Sequence, residues 1–254
     1  MGRGQVMKKQ IGSFSSMLIG VAMATVGLSG QAQAISFTAT NGTNLSASAD
    51  FQLSGTTLTV VLTNTSSADV LVPVDVLTAV FFSSNGTLAS VSALLSTGST
   101  VFFDSAPVDG VVGGEWAYAS GFGGAPLGAT QGIGSAGFGL FGSPTFPGSD
   151  LDPPAAVNGL NYGITSAGDN LGTGNSAVTG GGGNPIPLIQ NSVTFTLDLT
   201  SDPTNFLSSI TNVSFQYGTD LTEPNISHVP EPASLLLLGA ALAGLGFWRR
   251  KAAR

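Results

Sequence analysis

The chain has 254 residues and a formal net charge of −7, from 14 Asp and Glu against 7 Lys and Arg, with one His and no Cys. All seven cations lie near the ends (Arg3, Lys8, Lys9, Arg249, Arg250, Lys251 and Arg254), so residues 35–228 hold 13 carboxylates against no Lys or Arg, a net charge near −13. That balance excludes nucleic-acid binding through phosphate contacts, internal lysine or arginine ion pairs, disulfides, and zinc sites built from His or Cys; apolar burial and backbone hydrogen bonds must hold the fold.

In chain order, Arg3, Lys8 and Lys9 precede an apolar region from Ile11 to Leu28, and Ala32-Gln33-Ala34 places small residues at cleavage positions. This is the order of a secretory signal peptide over residues 1–34, read by the Sec translocon and cut by signal peptidase before Ile35. An uncleaved helix is the weaker reading, because Gly12, Ser13, Ser15, Ser16 and Gly20 interrupt the apolar region. Without its two end segments the chain has about 195 residues, an ordinary length for one domain with a sizeable core.

From Leu45 to Leu53, Leu45, Ala47, Ala49, Phe51 and Leu53 alternate with polar residues, and Leu58, Val60 and Leu62 resume the alternation after Ser54-Gly55-Thr56. Period two with a short turn predicts a β-hairpin, closed by Asn64 to Ser67. The run from Val70 to Phe82 is continuous and β-branched, which predicts a strand covered on both faces, with Pro73 forcing a bulge or an edge near its start. Further strands are expected at Leu88–Leu95, Thr100–Phe103 and Trp116–Tyr118.

Residues 121–183 change to Gly, Ser, Ala and Pro, but Phe122, Phe138, Leu140, Phe141, Phe146, Leu160 and Tyr162 recur too often for a solvated linker. Ordered loops laid on the sheets are expected, with Gly180 to Gly183 as a mobile tip. Alternation returns at Val193, Phe195, Leu197 and Leu199, and Val213 to Tyr217 forms a last strand. Two β-rich blocks flanking a loop-rich middle predict an all-β fold: an antiparallel, jelly-roll-like β-sandwich closed by its first and last strands.

Chemistry is sparse. His228, the lone histidine, precedes a Pro-rich motif and reads as spacer rather than as the base of a triad. Glu115 beside Trp116, with Asp104 and Asp109 upstream, offers an acid–base pair over an aromatic platform for a sugar. Exposed Trp116, Tyr118 and Phe122 on one loop face would instead mark a carbohydrate-binding or adhesive module. Asp150 and Asp152, or Asp169, could supply hard oxygen ligands to Ca2+, although Asx-turns account for the same residues without metal and neither set has the spacing of an EF-hand loop. No other cofactor is expected.

The chain ends on Val229-Pro230-Glu231-Pro232, an apolar run from Ala233 to Trp248, and the basic residues Arg249, Arg250, Lys251 and Arg254. As a helix the run would reach about 24 Å, short of a bilayer core of roughly 30 Å. Trp248 is an interfacial residue type, and the basic cluster behind it is a stop that stays cytoplasmic, so everything before Val229 is expected outside. Residues 229–254 resemble the PEP-CTERM sorting signal of Gram-negative bacteria, which implies cleavage near Pro230-Glu231-Pro232 by an exosortase. An uncleaved C-terminal membrane anchor, a single transmembrane helix over 233–248, is the alternative. Val61 to Ser66, Val70 to Leu77, Gly113 to Tyr118, Tyr162 to Asn170 and Val213 to Asp220 are also similar to a recurring family of exosortase-dependent surface proteins, a resemblance that implies no activity and no site residues. The expectation is an exported, non-enzymatic surface or extracellular-matrix protein. It would be anchored transiently in the inner membrane and then displayed at the outer surface or in the matrix, with exosortase, the membrane and exopolysaccharide as its surroundings.

Overall fold

The computed structural model describes residues 32–153, 157, 159–179, 186–201 and 204–228. The hydrophobic part of the signal segment, the Gly180 to Gly183 tip and the entire segment 229–254 lie outside the described residues. Among the described residues no helix reaches seven residues, and none is long and apolar enough to cross a membrane.

Five strands make the first sheet: β1 (Gln33–Asn41), β2 (Leu45–Ser54), β3 (Thr57–Asn64), β5 (Leu88–Leu95) and β11 (Ser192–Leu199), in the order β1-β2-β3-β11-β5 and antiparallel throughout. The β2–β3 hairpin turns at Gly55, whose φ of 62° is cheap only for glycine. Its alternation is the expected one, with Leu58, Val60 and Leu62 buried and Asp50 and Gln52 outside. In β5 a bulge opposite Thr196 and Leu197 leaves Val91 as the extra residue, and Val91 is 40% exposed.

The second sheet holds β4 (Leu77–Ser83), β6 (Thr100–Phe102), β9 (Ile164–Thr165), β10 (Leu188–Gln190), β12 (Thr211–Tyr217) and β13 (Asn225–Ser227), in the order β13-β12-β4-β9-β10-β6; β8 (Gln131–Gly134) joins β4 to β7 (Ala117–Ser120). It is antiparallel except for the two-residue parallel pair of β9 with β10. The expected strand from Val70 to Phe82 is shorter than the sequence suggests: Pro73–Asp75 is a 3-10 turn, because proline presets φ and cannot donate to a ladder, and the strand begins at Leu77. From Leu77 to Phe82 every residue is buried, as a strand covered on both faces requires.

The principal core draws on both sheets, with Phe51, Val60, Phe195 and Leu197 from one and Val80, Phe82, Phe215 and Tyr217 from the other. The rings of Phe51 and Phe82 meet edge-on at 5.3 Å. Each such side chain contributes about 1.5–3 kcal/mol on burial. On the other side of β4, Ala79 and Phe81 enter a second cluster formed by the Gly-rich middle of the chain: Phe81 lies 5.9 Å from Phe122 and 5.7 Å from Phe141. The loops that carry Phe122, Phe138 and Phe141 are thus laid on the sheet by their aromatics, and Gly132 and Gly134 of β8 make room for the Phe141 ring, which would stand 3.0 and 2.7 Å from an added Cβ.

Candidate functional site

The expected carboxylates converge in part. Between β6 and β7, Gly113–Glu115 forms a 3-10 turn against segment 147–149, so closely that a Cβ on Gly113 or Gly114 would stand 2.0 Å from the carbonyl oxygen of Pro147 or Ser149. Only glycine permits this approach, and it carries Glu115 beneath the following loop. Glu115 is 2% exposed, and its Oε1 accepts the backbone N–H of Leu151 at 2.5 Å and of Asp152 at 3.1 Å. Burial pushes this carboxyl above the ordinary glutamate value; the two N–H groups oppose the shift, and the charges of Asp150 and Asp152 add to it.

Asp152 Oδ2 accepts from the Asn161 amide, and the neighbouring Tyr162 donates its hydroxyl to Asp104 Oδ2 at 2.6 Å. That bond, with the Ser105 N–H on Oδ1 at 2.6 Å, holds Asp104 below the usual carboxylate range. The Tyr162 phenol is pushed far up, first by burial and then by Asp104, with Glu115 and Asp152 adding negative charge. Glu115, Asp152 and Asp104 therefore share one neighbourhood around Tyr162, and the hydrogen bonds of all three hold loops in place. Asp109 does not join them; it occupies a left-handed turn (φ 54°) beside the exposed Val108.

The aromatic platform is not formed. Trp116 is 0% exposed, its ring centroid 5.0 Å from that of Phe195, and its carbonyl accepts the Phe146 N–H at 2.8 Å. Tyr118 and Phe122 are half-buried, Tyr118 donating to Gln131 Oε1 at 3.0 Å and Phe122 packed on Phe81 and Phe141. Trp116 directly follows the Gly113–Glu115 turn, and its indole lies in the core rather than on a loop face.

The three metal candidates separate into two places. Asp150 is exposed at the loop that covers Glu115, Asp152 lies in the cluster just described, and Asp169 lies elsewhere, with its Oδ1 accepting the Val70 N–H at 3.1 Å. Among the described residues no three His, Cys, Asp or Glu side chains converge as metal ligands.

At the N-terminal end, Gln33 and Ala34 already pair with Leu53 and Gln52 in β1, and Ala32 immediately precedes the strand. At the C-terminal end the last described residue is His228, and it is docked rather than a free spacer. Its N–H bonds the Val213 carbonyl at 3.1 Å, its Nδ1 stands 2.9 Å from the Thr38 carbonyl oxygen, and its ring meets Phe37 edge-on at 5.1 Å. The first and last strands, β1 and β13, belong to different sheets and meet through this contact. Beside it a groove of about 430 Å³ opens between Phe37, Leu127, Ile210, Val213 and His228. No local signal in the sequence distinguishes this histidine from spacer, since the Thr38 carbonyl that its ring meets lies 190 residues away.

No curated protein and no solved structure significantly matches the chain. Residues 228–251 match the family model of the PEP-CTERM protein-sorting motif, so the motif begins on the residue that anchors the end of the folded domain. The motif implies export, exosortase processing and surface sorting in bacteria. The chain is a PEP-CTERM sorting domain-containing protein.

Proposed function

We propose that the folded domain is a non-enzymatic structural component of the bacterial surface or extracellular matrix, delivered by a signal peptide and released from its tail by an exosortase. The observation that carries this reading is the sorting motif at residues 228–251, which follows the last strand with no intervening linker. Two further features support it. The domain between residues 35 and 228 is acidic, free of Lys, Arg and Cys, and presents hydroxyl-rich strand faces suited to hydrated polysaccharide. Its conspicuous carboxylates, Glu115 and Asp152 among them, are engaged in holding loops.

In this reading the two sheets form a β-sandwich around the shared core, and the run 233–248 with its basic stop holds the precursor in the inner membrane until cleavage. An adhesive module that binds sugars on Trp116 loses its platform, because that side chain is in the core.

The test compares, in a host with an active exosortase, the full chain with a variant lacking residues 229–254. Surface protease accessibility and fractionation are read for both. Surface or matrix display of the full chain, with the variant released or retained in the periplasm, is the expected result. Equal surface display of both would refute tail-dependent sorting.

A further inference from the structure

The tripeptide Asn-Gly-Thr occurs twice, at Asn41-Gly-Thr43 and at Asn85-Gly-Thr87, and the fold treats the two copies oppositely. Both asparagines are exposed, so exposure does not separate them. At the β1–β2 turn, Asn41 pairs with Leu45 as the last rung of the ladder, and Gly42 takes a φ of 68° just beyond it. Among the described residues no hydrogen bond holds the Asn41 side chain or the Gly42 N–H, and a Cβ built on Gly42 would meet nothing within 4 Å.

Asn85, by contrast, is tied down. Its Oδ1 accepts the Ser209 hydroxyl at 2.8 Å, its own N–H donates to the same Ser209 Oγ at 3.1 Å, and the Gly86 N–H turns to Ser84 Oγ at 3.4 Å. Gly86 itself is walled in, with Leu199 Cδ1 and Phe206 Cδ2 at 2.5 and 2.6 Å from an added Cβ. A third Asn-Gly pair, Asn158-Gly159, begins on a residue outside the described ones.

We propose that Asn41 is a site of spontaneous deamidation, with hydroxide and water as its only co-reactants. Gly42 supplies the freedom the reaction needs: no Cβ shields its nitrogen, and fraying of the terminal Asn41–Leu45 rung lets the peptide turn toward the side-chain amide. The Gly42 nitrogen, its proton lost to hydroxide, attacks Asn41 Cγ. The N–Cγ bond forms, the Cγ–Nδ2 bond breaks, and Nδ2 leaves as ammonia with a proton taken back from water. Water then opens the cyclic imide. Hydrolysis between Gly42 N and Cγ leaves aspartate; hydrolysis between Gly42 N and the main-chain carbonyl carbon of residue 41 leaves isoaspartate, with the chain routed through the former side chain. Nothing is oxidised or reduced. Either product adds a carboxylate to a domain that holds 13 of them and no Lys or Arg. Hydroxyls hold the next rung, Thr40 Oγ1 to Ser46 Oγ at 3.0 Å and Ser46 Oγ to Thr65 Oγ1 at 2.7 Å, which confines the rearrangement to the tip of the hairpin. The inference does not depend on where the protein resides.

The test incubates the full chain, purified in detergent, in mildly alkaline buffer below its Tm and follows deamidation by mass spectrometry of peptides cut at aspartate. Asp50, Asp69 and Asp75 place Asn41 and Asn85 on separate peptides. In the folded chain Asn41 should convert at least about tenfold faster than Asn85, because Asn85 reacts only through a local opening of the fold. In guanidinium chloride the shared tripeptide should make the two rates nearly equal. Asn41→Gln, whose extra methylene disfavours ring closure, should remove the fast conversion and leave the slow one at Asn85. Conversion of Asn85 as fast as that of Asn41 in the folded chain would overturn the proposal. So would a difference that persists in guanidinium chloride, since it would come from the flanking sequence, or a fast conversion that survives Asn41→Gln.

Discussion

Trp116 decides between a buried and a displayed aromatic, and its truncation gives a large and opposite signal for each. The indole is 0% exposed and packs on Phe195, which in turn meets Phe146 at 5.3 Å, so Trp116→Ala leaves a cavity between the sheets. Losses of this kind cost about 3–5 kcal/mol. At roughly 2–4 °C per kcal/mol for a domain of this size, the expected fall in Tm is about 6–20 °C. Among the described residues the Trp116 Nε1 has no hydrogen-bond partner. Trp116→Phe should therefore cost much less, because the burial of an unpaired N–H, itself worth about 1–3 kcal/mol, is relieved while most of the apolar contact remains. Thermal unfolding followed by circular dichroism measures both variants without relying on indole fluorescence. A surface platform would give a change within about 0.5 kcal/mol. A Trp116→Ala chain that melts with the wild type and has lost polysaccharide binding would refute the buried position.

Glu115 carries a pH signature. Its folded carboxyl lies above the ordinary 4.5, so the folded state holds the proton more tightly than the unfolded chain. The associated stability is complete below that value and is lost as pH rises through the folded pKa. Wild-type Tm should fall relative to Glu115→Gln over the interval just above pH 4.5, and parallel Tm–pH curves for the two chains would contradict this. Gly114→Ala, whose Cβ would stand 2.0 Å from the Ser149 carbonyl oxygen, should destabilise by about 1–3 kcal/mol or more, while Gly123→Ala, with nothing within 4 Å, should stay within about 0.5 kcal/mol in denaturant unfolding. His228→Ala removes the contact between β1 and the end of β13, and hydrogen exchange at Thr38 and its neighbours should quicken; an unchanged rate would show that the strands meet without it.

The strands that were legible are those whose faces differ. β2, β3 and β11 alternate because one side meets the core and the other meets water, and β4 shows a continuous apolar run because both its sides are covered. β8 was not legible, since Gln131-Gly-Ile-Gly134 has little strand propensity of its own and is a strand because β4 and β7 pair with it and Phe141 lies on its glycines. The start of β4 was displaced because β-branched residues on both sides of Pro73 read as one strand across the turn that proline makes. For the sites, residue type alone marked Glu115 and Asp169. It could not reveal that Glu115 and Trp116 both lie inside the fold, or that Asp169 meets Val70 and His228 meets Thr38, because those contacts exist only once the sheets have formed.

The central claim is that the tail is a processed sorting signal on an exported domain, and the intact mass of the protein released from the surface of its native host tests it most directly. Trypsin has no site between residues 35 and 228, which makes the undigested chain the proper sample. The expected mass begins at Ile35 and ends between Pro230 and Ala233, with or without an added group. A mass that still runs to Arg254 would contradict the claim and identify the tail as a retained membrane anchor.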